Sequence, residues 1–257
     1  MCDMGTQQTP IRSVETAFRL LEKLLEQKGA TLGELAREFD KPKSTTHDYM
    51  KTLMDLGIVA YEDNKYYLTT ELLNIGTRVR NQRALYQVAK PEVERLARET
   101  GQMSGLITRE QGLGVTLYYH NTVTDIQLEP YPGLRTKLHT TSGGKAMLAE
   151  LPESRVSKIV SEHGLDSKTR HTITDYEGLL TELERVREQG YAVSAEERII
   201  GMQSLGTAIT DREGSPVGAL VVAGPVNQMQ SETRDGQALK DLLPNIANIV
   251  EVNLNYR

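Results

Sequence analysis

Two runs in this 257-residue chain carry side chains at spacings that could do chemistry. The first is Lys43-Ser44-Thr45-Thr46-His47-Asp48, with Lys51 one turn further on. Hydroxyls, ammonium groups and an imidazole near the start of a helix suit phosphates and base edges. The second is His139-Thr140-Thr141-Ser142-Gly143-Gly144-Lys145, which reads as a strand ending in a loop that opens a helix. The unpaired N–H groups and the dipole at a helix N-terminus favour an anion, and adjacent glycines let a ligand approach the backbone closely. The same run also fits an ordinary capped helix that packs through small residues. It matches a P-loop poorly, because G-x-x-x-x-G-K-[ST] is absent and Ala146 follows Lys145.

Catalytic and metal chemistry find little support. The five histidines, His47, His120, His139, His163 and His171, form no H-x₃-H or H-E-x-x-H cluster, and Cys2 stands alone. His120 and His139 read as structural histidines. Glu196 and Glu197 would point to opposite faces of a strand, which argues against a shared acid–base site. Ser194, Ser204 and His139 could be imagined as a hydrolase set, but no G-x-S-x-G elbow supports it. The expectation is a non-enzyme with no catalytic residues, no metal and no cofactor.

Three helices and a hairpin must position the first run. Helix one starts at Ser13, carries Val14, Ala17, Phe18, Leu21, Leu24 and Leu25 as an apolar stripe, and stops at Gly29. Thr31 with Glu34 forms a capping box for helix two, which buries Leu32, Leu35, Ala36 and Phe39. Asp40-Lys41 makes the turn, and Pro42 sits in the first turn of helix three. There Thr46, Tyr49, Met50 and Leu53 face inward, Ser44, Thr45, Asp48, Lys51 and Asp55 face outward, and Gly57 stops the helix. Ile58–Tyr61 and Lys65–Leu68 then form a hairpin around Glu62-Asp63-Asn64. Helix, helix-turn-helix and wing make a winged-helix domain over residues 11–70.

Residues 71–86 read as a linker helix, and a second helical run spans Leu85 to Thr100, with Pro91 at its first turn or a kink. From Gln102 the apolar period shifts from 3.6 to 2. Strands are expected at Gly105–Thr108, Val115–Tyr119, Ile126–Pro130, Tyr191–Ala195, Gln203–Thr210 and Val217–Ala223. The last two turn at Asp211–Gly214. Helices are expected at 152–163, 175–189 and 231–253. Segregated helices and antiparallel strands make residues 87–257 an α+β domain.

Composition is compatible with this division. The length suits two domains, the 38% of hydrophobic residues can fill ordinary cores, and no eighteen-residue apolar run would span a membrane. The polar N-terminus lacks a signal-peptide core, and a single cysteine cannot build a disulfide framework, so a cytoplasmic location is expected. The formal net charge is −5. Residues 1–72 hold nine Lys/Arg against twelve Asp/Glu, whereas residues 73–101 hold six against three. An acidic reader binds DNA weakly as one copy and gains from presenting two.

The segments RSVETAFRLLEKL, TLGELAREFDKPKSTTHDYMKTLMDLGIV, LHTTSGGKAMLAELP and REQGYAVSAEERIIGMQSLGTAITDREGSPVGALVVAGP, in that order, resemble the IclR family of transcriptional regulators over nearly the whole chain. The resemblance implies a winged helix followed by a GAF-like effector domain. It implies homodimers that pair into tetramers, a pseudo-palindromic operator in double-stranded DNA, and a small organic effector, often a carboxylic or aromatic acid. It adds to the residue reading in naming Lys43, Ser44, Thr45, His47, Asp48, Lys51 and Lys65 as DNA-binding candidates. It aligns Ser142, Gly143, Ser194, Ser204, Val221 and Ala223 with effector-binding positions.

Two departures stand out. The family usually has Arg where this chain has Asp48. Aspartate repels phosphate and either pairs with a nearby lysine, the reading preferred here, or accepts a bond from cytosine N4. Where an acid-binding pattern in the family carries Asp, Cys, Ser and Ser, this chain carries Ser194, Ser204, Val221 and Ala223. That implies a less polar wall and a ligand with an anionic or polar end and a more apolar body. Arg78, Arg80 and Arg83 could touch DNA flanks or a partner subunit, with a solvated helix face preferred.

Overall fold

The computed structural model describes residues 11–121, 130–229 and 238–256. Compact packing divides the chain into two units, Met1–Arg78 and Val79–Arg257.

The first unit is three helices and a hairpin. Helix α1 (Arg12–Gln27) starts one residue before the expected Ser13. Its core-facing residues are Leu20, Leu21 and Leu24, with Ala17 partly covered, an i, i+3, i+4, i+7 pattern. Val14, Phe18 and Leu25, expected in the buried stripe, are instead 53, 64 and 70% exposed, as is Ile11 at 71%. The helix carries two apolar faces, and periodicity alone does not say which one the core covers. At its end the left-handed residue is Lys28, with Gly29 N–H reaching back to the Leu24 carbonyl at 3.1 Å.

The expected capping box of α2 (Leu32–Glu38) is present: the Thr31 hydroxyl accepts from Glu34 N–H, and the Glu34 carboxylate accepts from Thr31 N–H. These Thr31 bonds, with smaller help from the Lys65 and Arg37 charges, hold the Glu34 carboxyl below its ordinary range. Asp40, at φ +45°, makes the turn into α3 (Lys43–Asp55). Thr46, Met50 and Leu53 of α3 are buried, as expected. Gly57 N–H and Ile58 N–H close the helix onto the Met54 and Leu53 carbonyls. Strands β1 (Val59–Glu62) and β2 (Lys65–Leu68) pair antiparallel with Glu62 opposite Lys65. The loop is therefore two residues, Asp63 and Asn64, both left-handed, and not the three of the sequence reading. Ala30 bridges Tyr66 and ties the helices to the wing.

Helix α4 spans Glu71–Asn81 and buries no residue. The chain breaks helix at Gln82–Arg83 and resumes as α5 (Ala84–Thr100). One continuous helix over 71–86 is thus not formed, and Leu85 and Tyr86, beyond the break, are buried in the second unit. Pro91 sits inside α5, away from its first turn.

The second unit is a six-stranded antiparallel sheet in the order β5-β4-β3-β8-β7-β6. The strands are β3 (Met103–Glu110), β4 (Leu113–His120), β5 (Arg135–Lys137), β6 (Ala192–Ala195), β7 (Met202–Thr210) and β8 (Pro216–Pro225). Side chains alternate across it. Leu220 and Val222 join Leu106, Leu117 and Ile209 in a core with α5 and α9 (Leu239–Asn255). On the opposite face Ala219 packs with α6 (Ser142–Ala149), α7 (Glu153–His163) and α8 (Tyr176–Gln189). The architecture is α+β, as the sequence implies. Leu138–Thr140, read as strand end, is a 3-10 turn. Of the strand expected at Ile126–Pro130, residues 126–129 lie outside the described residues, as does the segment 231–237 of the last helix.

Candidate nucleic-acid interface and ligand cavity

On α3 the Pro42 carbonyl accepts from both the backbone N–H and the hydroxyl of Thr46, which fixes the first turn. That leaves Lys43, Ser44, His47, Asp48 and Lys51 exposed and Thr45 half-buried. Lys65 is exposed at the start of β2. Lys43, Ser44, Lys51 and Lys65 make no side-chain hydrogen bond or ion pair among the described residues, so their charges and hydroxyls are open to a ligand. The preferred pairing of Asp48 with a lysine is absent. Its nearest charged partner is His47 Nδ1 at 4.0 Å, and 82% of its side chain is exposed. The linker arginines divide differently from expectation: Arg83 pairs with Glu110, and the Arg80 guanidinium lies 4.6 Å from the centre of the Tyr86 ring.

The second run forms a different surface. Thr141 caps α6, its hydroxyl accepting from Gly144 N–H at 3.1 Å. Gly143 and Gly206 allow α6 to lie directly on β7: a Cβ on Gly206 would stand 2.6 Å from the Gly143 nitrogen, and one on Gly143 would stand 2.7 Å from Val221 Cγ2. This contact brings the start of α6 to the sheet. Ser142, fully buried, donates to the Ser204 hydroxyl at 2.8 Å. Ser194, paired across the ladder with Ser204, reaches the Thr140 carbonyl at 3.4 Å.

Beside them opens a cavity of about 180 Å³. Ser142, Ser194, Ser204, Val221 and Ala223 all line it, so five of the six aligned candidates meet at one void. Gly143 does not line it and instead forms the helix–sheet contact just described. The sequence reading missed Met103, Met202, Gln203 and Arg198 in its walls. Arg198 had only a weak signal, since in Glu196-Glu197-Arg198 it reads as part of a solvated charge run. Burial pulls its guanidinium below the usual range, with only Tyr131 acting against this.

Lys145, weighed before only as a P-loop residue, is wholly buried and donates to Glu182 at 2.9 Å and Glu197 at 2.7 Å. Burial pushes Glu182 up, but the bonds and charges of Lys145 and Arg185 outweigh it and hold that carboxyl low. Glu197 lies deeper with one oxygen unbonded, so burial wins and its carboxyl is pushed up. Glu196 and Glu197 lie just after β6, not on a strand. Glu196 accepts from Gly201 N–H, so the two carboxylates serve separate partners. His139 is 3% exposed and contacts the Asp166 carbonyl, and no described serine bonds a histidine ring. Among the described residues no group of three or more His, Cys, Asp or Glu could hold a metal ion, and no helix is long and apolar enough to cross a membrane.

A winged helix with an exposed α3 face, followed in the chain by a cavity-bearing antiparallel sheet, is the architecture of a DNA-binding transcription regulator. The chain belongs to the IclR family of bacterial transcriptional regulators. The family's C-terminal model matches residues 77–250 and its helix-turn-helix model residues 13–63. The chain is 34% identical over 248 residues to the probable HTH-type transcriptional regulator ArcR of Halobacterium salinarum, covering 95% of this chain and 94% of that one. Its fold is similar to the Thermotoga maritima IclR structure, with TM-score 0.81, 26% identity, and 96% and 100% of the two chains covered. It also resembles an IclR homolog from Microbacterium hydrocarbonoxydans complexed with 4-hydroxybenzoate, with TM-score 0.77, 23% identity, and 94% and 98% covered.

Proposed function

We propose that the chain is a sequence-specific, cytoplasmic regulator whose hold on a double-stranded operator is set by a small organic acid in the cavity beside α6. The observation that carries this reading is the presence of both an exposed α3 face and a mixed-polarity cavity, on separate units of one chain. Lys43, Lys51 and Lys65 neutralise phosphates, Ser44 and Thr45 bond phosphate or base edges, and His47 and Asp48 border the contact. Ser142, Ser194 and Ser204 hold the polar end of the ligand, while Val221 and Ala223 receive its apolar body. The Microbacterium homolog binds an aromatic acid, but at 23% identity it speaks for the shared fold and leaves this chain's acid open.

The active form in this reading is a homodimer. The second apolar face of α1, with Ile11, Val14, Phe18 and Leu25, needs a partner, and so do Leu73, Ile75 and Val79 on α4. A second copy of the chain supplies the same faces. Two recognition helices then address half-sites about 34 Å apart on a pseudo-palindrome. Dimers pairing into tetramers is the further expectation from the family. The ligand acts by binding one arrangement of the reader pair more tightly than another.

The test is selection of genomic DNA fragments by the full chain, with Ser44→Ala/Thr45→Ala as control and sedimentation to give the oligomeric state. Specific fragments should be retained by a dimer or tetramer and lost by the double variant. Unchanged retention by the double variant would remove DNA reading from α3.

A further inference from the structure

The cavity walls are unevenly charged. Of the residues lining it, Arg198 alone carries a full charge at neutral pH, and no described acid lines it. Arg198 has no hydrogen bond or ion pair to any described residue, although it is only partly exposed. The two residues before it, by contrast, are held from several sides. The Glu197 side chain bonds buried Lys145, the Glu197 carbonyl accepts from Thr172 and Thr169, the Glu196 carbonyl accepts from Thr169, and the Glu196 carboxylate accepts from Gly201 N–H. A cation that follows so firmly bonded a segment and has no counter-charge among the described residues is arranged for a charge that arrives from outside.

We propose that Arg198 is the carboxylate anchor of this cavity and that the chain selects a compact monocarboxylic acid with an apolar body of about one ring. This rests on the effector reading above and adds to it the group that discriminates charge. Guanidinium and carboxylate match as a fork with two parallel bonds, which fixes the orientation of the acid as well as its charge. The hydroxyl-bearing residues Thr140, Thr141 and Ser142, at the start of α6, line the same cavity. The remaining wall mixes apolar side chains, Ile107, Leu134, Ile199, Met202, Val221 and Ala223, with neutral hydroxyls and the Gln203 amide. Among the described residues no second cation lines the cavity to meet a second carboxylate on the ligand. The volume of about 180 Å³ is close to the roughly 150 Å³ of an apolar cavity that accepts benzene.

The experiment titrates the full-length chain with sodium benzoate, hexanoate, succinate and neutral benzamide, by calorimetry and thermal shift. Benzoate and hexanoate should bind, with benzamide and succinate at least tenfold weaker. Arg198→Gln should lose benzoate affinity at least tenfold without a fall in the ligand-free Tm, and Arg198→Lys should keep part of it. Equal binding of benzamide and benzoate overturns the proposal, as does wild-type benzoate affinity in Arg198→Gln, or failure of every acid to bind the wild type. Ala223→Phe separates the two readings by filling the cavity. If it abolishes benzoate binding while Arg198→Gln does not, the cavity keeps its ligand role and Arg198 loses its own. If benzoate binding depends on Arg198 yet leaves DNA retention unchanged, the anchor stands and the regulatory reading falls.

Discussion

Lys43, Ser44, Asp48 and Lys51 stand in solvent on α3, held only by the backbone that carries them. Ser142, Ser194 and Lys145 are buried and each hydrogen-bonded inside the protein. The reader surface keeps its bonding capacity unused, and its geometry comes from helix packing one layer beneath, at Thr46, Met50 and Leu53. The cavity serines are largely bonded to one another and to the backbone, and Arg198 stands unpaired among the described residues. The contrast has a practical reading: substitutions on the exposed face of α3 change what is bound and not how firmly the protein folds, whereas substitutions around α6 change both.

The largest effect that would break or sharpen this contrast is Lys145→Met. It leaves Glu182 and Glu197 buried together, and removing one partner of a buried ion pair costs about 3–5 kcal/mol. Urea unfolding should read that loss, and replacing all three residues with apolar ones of similar size should recover most of it. A loss under about 1 kcal/mol would mean that the triad is not a support. Next is Gly206→Ala. Its Cβ would fall 2.6 Å from the Gly143 nitrogen and 2.7 Å from the Ser142 carbonyl carbon, so α6 must lift. A cost of about 1–3 kcal/mol is expected, together with loss of ligand binding at the cavity. Unchanged stability would show that α6 is not tightly seated.

A smaller effect concerns acid. Burial lowers His139 below its ordinary value near 6.5, the Asp166 carbonyl only partly opposing this. The unfolded chain then binds that proton more tightly. The His139 contribution is fully present above about pH 6.5 and is lost as pH falls through the lower folded value. His139→Gln should flatten the fall of stability over that range, and an unaltered slope would count against it. The smallest expected change in stability is at Asp48→Arg, within about 0.5 kcal/mol. Its DNA affinity should nevertheless rise, with the salt dependence steeper by about 0.9 for one added phosphate contact. No change in that slope would place residue 48 away from the backbone of the DNA.

Much of the reader was legible because its signals are local. A capping box, a turn between helices and a hairpin each lie within a few residues, so Thr31 with Glu34, the turn at Asp40 and the existence of the wing could be read directly, though the wing's loop is one residue shorter than read. The facing of α1 could not, because Leu20 and Phe18 are equally apolar and only tertiary packing distinguishes them. The α+β order of the second unit followed from its change of period, and the aligned positions 142, 194, 204, 221 and 223 do gather at one void. What stayed hidden was the support. Lys145, Glu182 and Glu197 are far apart along the chain, and each alone reads as a surface charge. Arg198 was masked in the same way, inside a run of like-looking ionic residues.

Lys145 and its two carboxylates also bear on how such a protein can change. They do not line the cavity but tie α6 to α8 and to the segment after β6, while Val221, Ala223, Ser194 and Arg198 form the wall itself. A wall propped from behind can be re-papered. Altering Val221 or Ala223 trades one apolar surface for another and leaves the prop in place. The cavity is therefore a favourable starting point for directed evolution of a sensor, with the wall positions randomised and Lys145, Glu182 and Glu197 held fixed.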